Sequence, residues 1–171
     1  MVAQIHLEDM DMEISSLSKF FVVRKLTIND VDTIYDMMSK NEIFYQYHPP
    51  FVTKESVVED MEALPPNKSY DDKYYIGFFE NDSLVAIMDL ILGYPTEEIA
   101  FIGLFMTNVQ YQNKGIGSNI IRDTCDYLND LGYKKVRLGV DKGNPQSYSF
   151  WLKNSFRVIS ENEYILMELT L

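Results

Sequence analysis

Residues 99–131 constrain the fold more tightly than any other part of the chain. Residues 99–106 (IAFIGLFM) are apolar throughout, so both faces of a strand made from them must be covered. Such a strand belongs at the centre of its sheet. A polar stretch, 107–114, follows, and from Gly115 the pattern turns helical. Ile116, Ile120, Thr124, Leu128 and Leu131 recur on one face, and Gly132 supplies a C-terminal stop. A central strand that feeds a glycine-bearing loop and then an amphipathic helix implies mixed α and β layers.

The flanking sequence fits the same plan. Residues 20–26 (FFVVRKL) read as a first strand, and Thr27, Ile28, Asn29 and Asp30 offer capping groups to a helix reaching about residue 39. Val31, Ile34, Tyr35 and Met38 fall on one face of that helix. Residues 41–51 (NEIFYQYHPPF) are aromatic and run into Pro-Pro, which predicts irregular structure. Thr53 can cap a second helix, stopped near residue 64 by Pro65 and Pro66. Segments 73–80 and 83–92 read as strands joined by a hairpin turn at Asn81-Asp82. A strand over 134–140, a short helix from Pro145 to about residue 153, and strands near 156–160 and 163–169 complete the order βααβββαβαββ. The first 18 residues are polar and acidic, a short helix or a loose arm. The expectation is an α+β (mixed α/β) fold: one domain over 1–171, with a largely antiparallel central sheet of six to seven strands flanked by about four helices.

Charge and cysteine content limit the function classes. A net charge of −11 argues against nonspecific nucleic-acid binding, which needs a positive surface. An acidic surface attracts cationic partners, and it also serves simply as solubilising charge. The single cysteine, Cys125, excludes an internal disulfide and falls inside the helical pattern, where it reads as a small core residue. No Cys/His cluster has metal-ligand spacing, and His6 stands in the polar arm with no partner in the pattern. The N-terminus lacks the basic and apolar regions of a signal peptide, and no apolar run is long enough to cross a bilayer. A cytoplasmic protein is expected.

The loop before the helix carries the chemistry. The first backbone N–H groups of a helix lack internal partners, and the aligned peptide dipoles place partial positive charge there. A pyrophosphate can sit on that end if no side chain blocks its approach. Gly115 and Gly117 remove the Cβ atoms in the way, and Lys114 adds positive charge at the rim. Other phosphate loops fit poorly. A dinucleotide fingerprint needs a third glycine where Ile120 stands, and a P-loop needs Gly-Lys-Ser/Thr. The bland alternative is a pair of turn glycines.

The run Gln112-Asn113-Lys114-Gly115-Ile116-Gly117 matches the Gln/Arg-x-x-Gly-x-Gly/Ala signature, and here the chain resembles the GNAT superfamily of N-acetyltransferases. The apolar strand before it, Asn144, and the later Phe150-Trp151-Leu152-Lys153-Asn154-Ser155-Phe156 extend the resemblance over about residues 20–170. It implies that backbone amides of Gln112, Asn113, Lys114, Gly115, Ile116 and Gly117, with Ser118, hold the pyrophosphate of acetyl-CoA. It further implies that the strand end Leu104, Phe105 and Met106 aligns the pantetheine arm, and that a backbone N–H of Phe105 or Met106 polarises the acetyl carbonyl. Asn144 would contact the pantetheine. Two positions depart from the pattern. Trp151 stands where a Tyr often protonates the leaving thiolate, which leaves Tyr148 as the substitute general acid, and Ser155 replaces the usual Gly, implying a slightly different turn.

An ammonium must lose a proton before it attacks a thioester, so a base is needed. Carboxylates at strand ends supply the candidates: Glu97, Glu98 and Asp141. Asp89 interrupts an apolar strand. Facing inward it must be paired or protonated; facing outward it is an ordinary polar position. His48, Tyr45, Tyr47 and Phe51 lie in the segment that shapes the acceptor pocket in similar proteins, where the rings can hold an ammonium. The expected partners are therefore acetyl-CoA and a primary amine, small or peptidic, with no nucleic acid or membrane, in a monomer or homodimer. Direct attack is favoured because no nucleophile is evident. The rival readings are an acyl-CoA-binding sensor without turnover and an acetyltransferase acting on protein N-termini or lysines.

Overall fold

The structure, a computed structural model, describes residues 12–171; the segment before them, with His6, lies outside the described residues. Seven strands form one sheet: β1 (Val22–Lys25), β2 (Lys73–Glu80), β3 (Ser83–Leu92), β4 (Ile99–Thr107), β5 (Lys135–Val140), β6 (Arg157–Glu161) and β7 (Ile165–Thr170). Their order is β1-β2-β3-β4-β5-β7-β6, with β4 at the centre as its apolar sequence requires. Every neighbouring pair is antiparallel except β4 and β5. Among the described residues five α-helices accompany the sheet: α1 (Val31–Ser39), α2 (Glu42–Tyr47), α3 (Lys54–Glu62), α4 (Ile116–Asp130) and α5 (Pro145–Lys153).

The sheet separates two apolar layers. On one face, Ile120, Ile121, Cys125 and Leu128 of α4 and Trp151 of α5 pack with Met88, Leu90, Ala100 and Ile102. On the other, Ile34, Met37 and Met38 of α1 and Val57 of α3 pack with Tyr75, Ile87 and Met106. Thr27 and Asp30 form a capping box ahead of α1, and Thr53 and Ser56 form another at α3.

Two expectations are corrected and one open alternative is resolved. Residues 42–47 are helical rather than irregular, because Phe44 and Tyr45 pack onto the second apolar layer and that burial outweighs the modest helix propensity of aromatic residues. Of the two readings of the first 18 residues, the described part takes the short helix: a 3₁₀ turn, Ile14–Leu17, buries Leu17 completely, and the Leu17 carbonyl accepts a hydrogen bond from Thr124 Oγ1 (3.3 Å). Finally, Ser155 does not alter the turn after α5. It adopts φ +71°, the left-handed geometry that glycine would take, and the N–H of Phe156 still closes onto the Trp151 carbonyl at 3.0 Å.

Candidate active site

The site begins where two strands part. β4 and β5 pair from Ile99↔Lys135 to Ile102↔Leu138, after which both continue without pairing to each other. Beyond Ile102, the β5-facing edge of β4 therefore has backbone groups without a strand partner. A β-bulge lies at the same point, since Asp89 pairs with Leu104 but Leu90 pairs with Ile102, leaving Gly103 as the extra residue. A cavity of about 330 Å³ opens there. Phe105, Met106 and Thr107 of β4 line one wall; Gln112, Asn113, Gly115, Gly117 and Ser118 line a second; Asn144 and Ser147, Phe150 and Trp151 of α5 line a third. Asn41 and Phe44 close it from the α2 side.

The loop's shape follows from its backbone. Asn113 (φ +60°) and Gly115 (φ +76°) are both left-handed, which coils the chain tightly into the N-terminus of α4. Gly115 is the N-cap, and a Cβ added there would meet nothing within 4 Å, so its glycine serves the left-handed backbone. Gly117 is small for a second reason: its Cβ would come within 3.2 Å of both Thr107 Oγ1 and Phe150. The first helical bond runs from the Asn119 N–H to the Gly115 carbonyl (3.0 Å), so the N–H groups of Ile116, Gly117 and Ser118 have no partner in the helix. They form an anion seat at the positive end of a 15-residue helix.

Side chains hold this loop in place. Gln112 Nε2 donates to Asn41 Oδ1 (2.7 Å) and to the Thr107 carbonyl (2.9 Å), tying the loop to the end of β4 and the start of α2. Asn154 Nδ2 donates to Ser118 Oγ (3.1 Å), tying the start of α4 to the end of α5. Asn144 is buried and caps α5, its Oδ1 accepting from the Ser147 N–H (3.1 Å). The Asn144 amide NH₂ makes no hydrogen bond among the described residues and remains available at the cavity wall.

Eight of the residues expected at a cofactor site line the cavity: Phe105, Met106, Gln112, Asn113, Gly115, Gly117, Ser118 and Asn144. Leu104, Lys114 and Ile116 do not. Leu104 packs on the second apolar layer one step before the cavity begins, Lys114 is exposed, and the Ile116 side chain packs on the core, leaving only its backbone to the seat. Thr107, Asn41 and Phe44 were not anticipated. No spacing rule links Asn41 to a loop 71 residues away; the Gln112 bond does.

The proton-transfer candidates separate sharply. Glu97 and Glu98 are exposed at the start of β4, about 20 Å along the strand from Phe105, and are not brought to the cavity. Tyr148 packs half-buried against the first apolar layer and does not line the cavity. Trp151 is a core residue, ringed by Phe105, Phe150 and Phe156 at centroid distances of 5.9, 4.9 and 4.9 Å. Asp141 does not line the cavity either, but it is paired with His48: Nδ1 lies 3.0 and 3.1 Å from the two carboxylate oxygens. Residues 93 apart in sequence meet there, at the C-terminal ends of α2 and β5. Asp89 faces inward and is paired, with both oxygens 2.8–2.9 Å from the buried Lys73 Nζ. Desolvation still pushes the Asp89 carboxyl up, against the pull of Lys73. Burial likewise pushes the Cys125 thiol up to about 12, which leaves it inert as a nucleophile. Among the described residues no group of His, Cys, Asp and Glu is arranged to hold a metal ion, and no helix is long and apolar enough to cross a membrane.

Comparison with known proteins agrees with this geometry. The spermidine N(1)-acetyltransferase of Thermoplasma acidophilum is 21% identical over 147 residues, covering 80% of this chain and 88% of that protein. An acetyltransferase from Thermus thermophilus superposes with a TM-score of 0.75 at 21% identity, covering 88% of this chain and 97% of the other. The PaiA N-acetyltransferase of T. acidophilum, solved in complex with coenzyme A, gives 0.68 at 21% identity, covering 88% and 99%. The sequence profile of the acetyltransferase (GNAT) family matches residues 37–156, which span the parted strands, the glycine loop and α5, and the chain belongs to that family.

Proposed function

We propose that this chain transfers the acetyl group of acetyl-CoA directly to a small primary amine. The observation that carries this reading is the continuous cavity joining the α4 anion seat to the unpaired edge of β4. The residues fit the cosubstrate. Free N–H groups of Ile116, Gly117 and Ser118 suit the pyrophosphate, the Asn144 amide suits an amide of the pantetheine arm, and Phe105, Phe150 and Trp151 supply apolar cover. Acetyl-CoA contributes an activated thioester carbonyl. A backbone N–H at Phe105 or Met106, on the edge of β4 released from β5, is the group to polarise that carbonyl.

The base is His48. With Nδ1–H donating to Asp141, the imidazole presents the lone pair of Nε2, and the aspartate fixes both tautomer and ring orientation. His48, which stands off the cavity lining, takes a proton from the ammonium through water. The amine nitrogen then forms the C–N bond as the C–S bond breaks, and it sheds its second proton to water as the amide forms while the departing thiolate gains one. Tyr148, one turn from Trp151 on α5, is kept as the candidate donor to the leaving thiolate, reached through water because its side chain stands off the cavity. The curated relative acts on spermidine by its name, which supports a small cationic acceptor over a protein one.

The test is steady-state kinetics with free-thiol detection across an amine panel. His48→Ala should lower kcat by about 10²–10⁴-fold with acetyl-CoA binding unchanged, and Asp141→Asn should lower it by a smaller factor. Full activity in His48→Ala would remove the dyad from the mechanism. Tight acetyl-CoA binding with no thiol release on any amine would favour a sensor instead.

A further inference from the structure

On the sheet face opposite α4, the register sets three side chains in a row. Tyr75 of β2 pairs with Asp89 of β3, and Asp89 pairs with Leu104 of β4, so all three project the same way. Tyr75 stands two interstrand spacings, about 10 Å, from the strand whose end lines the cavity. It is 6% exposed, and its hydroxyl is a buried side-chain polar atom with no hydrogen-bond partner. Leaving a buried hydroxyl unpaired is costly, so a group that pairs it is expected in the working protein.

The surroundings of that hydroxyl say what the group is. Burial holds the Tyr75 phenol well above the usual range, and two carboxylates, Asp60 of α3 and Asp89, add to it; Val57 and Met61, on either side of Asp60 in α3, pack with Tyr75 in the second apolar layer. Asp89 is already neutralised by Lys73. Asp60 makes no ion pair or hydrogen bond among the described residues, although His48 and Lys73 act on it through space. It is exposed on α3, yet desolvation pushes its carboxyl up. The Tyr45 ring, tilted against Phe51 at 5.2 Å, packs with Tyr75 in the second apolar layer, and its hydroxyl is pushed up to about 12 by burial and by Asp60. An unpaired acid, an unpaired buried hydroxyl that can accept, and aromatic walls fit an alkylammonium.

We propose that Asp60 and the Tyr75 hydroxyl seat a second ammonium of the acceptor, remote from the amine that is acetylated, so that diamines and longer polyamines are preferred over monoamines. This deepens the amine-acetylation reading and rests on it. The discriminating comparison is diaminohexane against hexylamine, which share a chain and differ in one charge. Wild type should show a kcat/KM at least about tenfold higher for the diamine, the size of one charge-assisted hydrogen bond. Asp60→Asn should erase that preference by raising the KM for the diamine while leaving hexylamine unchanged, and Tyr75→Phe should do so in part. Equal use of both amines by wild type, or an equal loss on both in Asp60→Asn, would overturn the seat. Calorimetric titration of diaminohexane into the CoA-loaded protein separates the two readings. Asp60-dependent binding without acetylation would uphold the seat and remove the proposed reaction. Acetylation of both amines with no Asp60-dependent binding would do the reverse.

Discussion

Arg137 and Glu168 face each other across β5 and β7, with guanidinium nitrogens 2.6 and 2.8 Å from one carboxylate oxygen, and Lys135 stands 3.2 Å from the other. Desolvation pushes the Glu168 carboxyl up, but the two cations together outweigh it and hold it below the usual glutamate range. A lowered folded-state value contributes stability above the unfolded value of about 4.3, and that contribution is lost as the pH falls through the lowered one. Glu168→Gln should therefore cost about 1–2 kcal/mol at neutral pH and almost nothing well below pH 4, in urea titrations at the two pH values. An equal loss at both would mean that packing, not charge, is what the side chain contributes. The same scale shows where sequence reading stops. Asp89 announces itself by interrupting an apolar strand, but its partner Lys73 lies on another strand and is found only through the register. His48 and Asp141 each stood out as single residues; nothing local to either foretells that they meet.

Elements were more legible than contacts. The β2–β3 hairpin, α5 with Pro145 in its first turn, and α4 were all readable because periodicity, turn chemistry and caps agree there. α2 was not readable, since its helical state comes from Phe44 and Tyr45 finding the second apolar layer, a tertiary effect. The turn that ends α5 carries a prediction of its own. Ser155 holds φ +71°, a conformation that costs a side-chain-bearing residue roughly 1–2 kcal/mol. Ser155→Gly should therefore raise stability by about 1 kcal/mol, after allowing for glycine's freer unfolded chain, with the site unchanged. A destabilised variant in thermal melts would show that the Ser155 side chain contributes more than its backbone strain costs.

For the whole molecule, the design is a central strand that loses its parallel neighbour halfway along, so that a cavity opens beside its end. The apolar character of residues 99–106 made the strand's central place legible, and the two glycines made the anion seat legible. The parting of β4 from β5 was not legible, because the residues on both strands remain apolar past the last pair. The central claim, that acetyl-CoA binds at the start of α4, is tested most directly by calorimetric titration of wild type and Ser118→Glu. A carboxylate in the first turn suits the helix dipole, so the variant should keep its fold while occupying the seat with its own charge. Wild type should bind acetyl-CoA, and Ser118→Glu should bind at least about a hundredfold more weakly with its melting temperature within a few degrees of wild type. Failure of wild type to bind, or equal binding by the two proteins, would contradict the account.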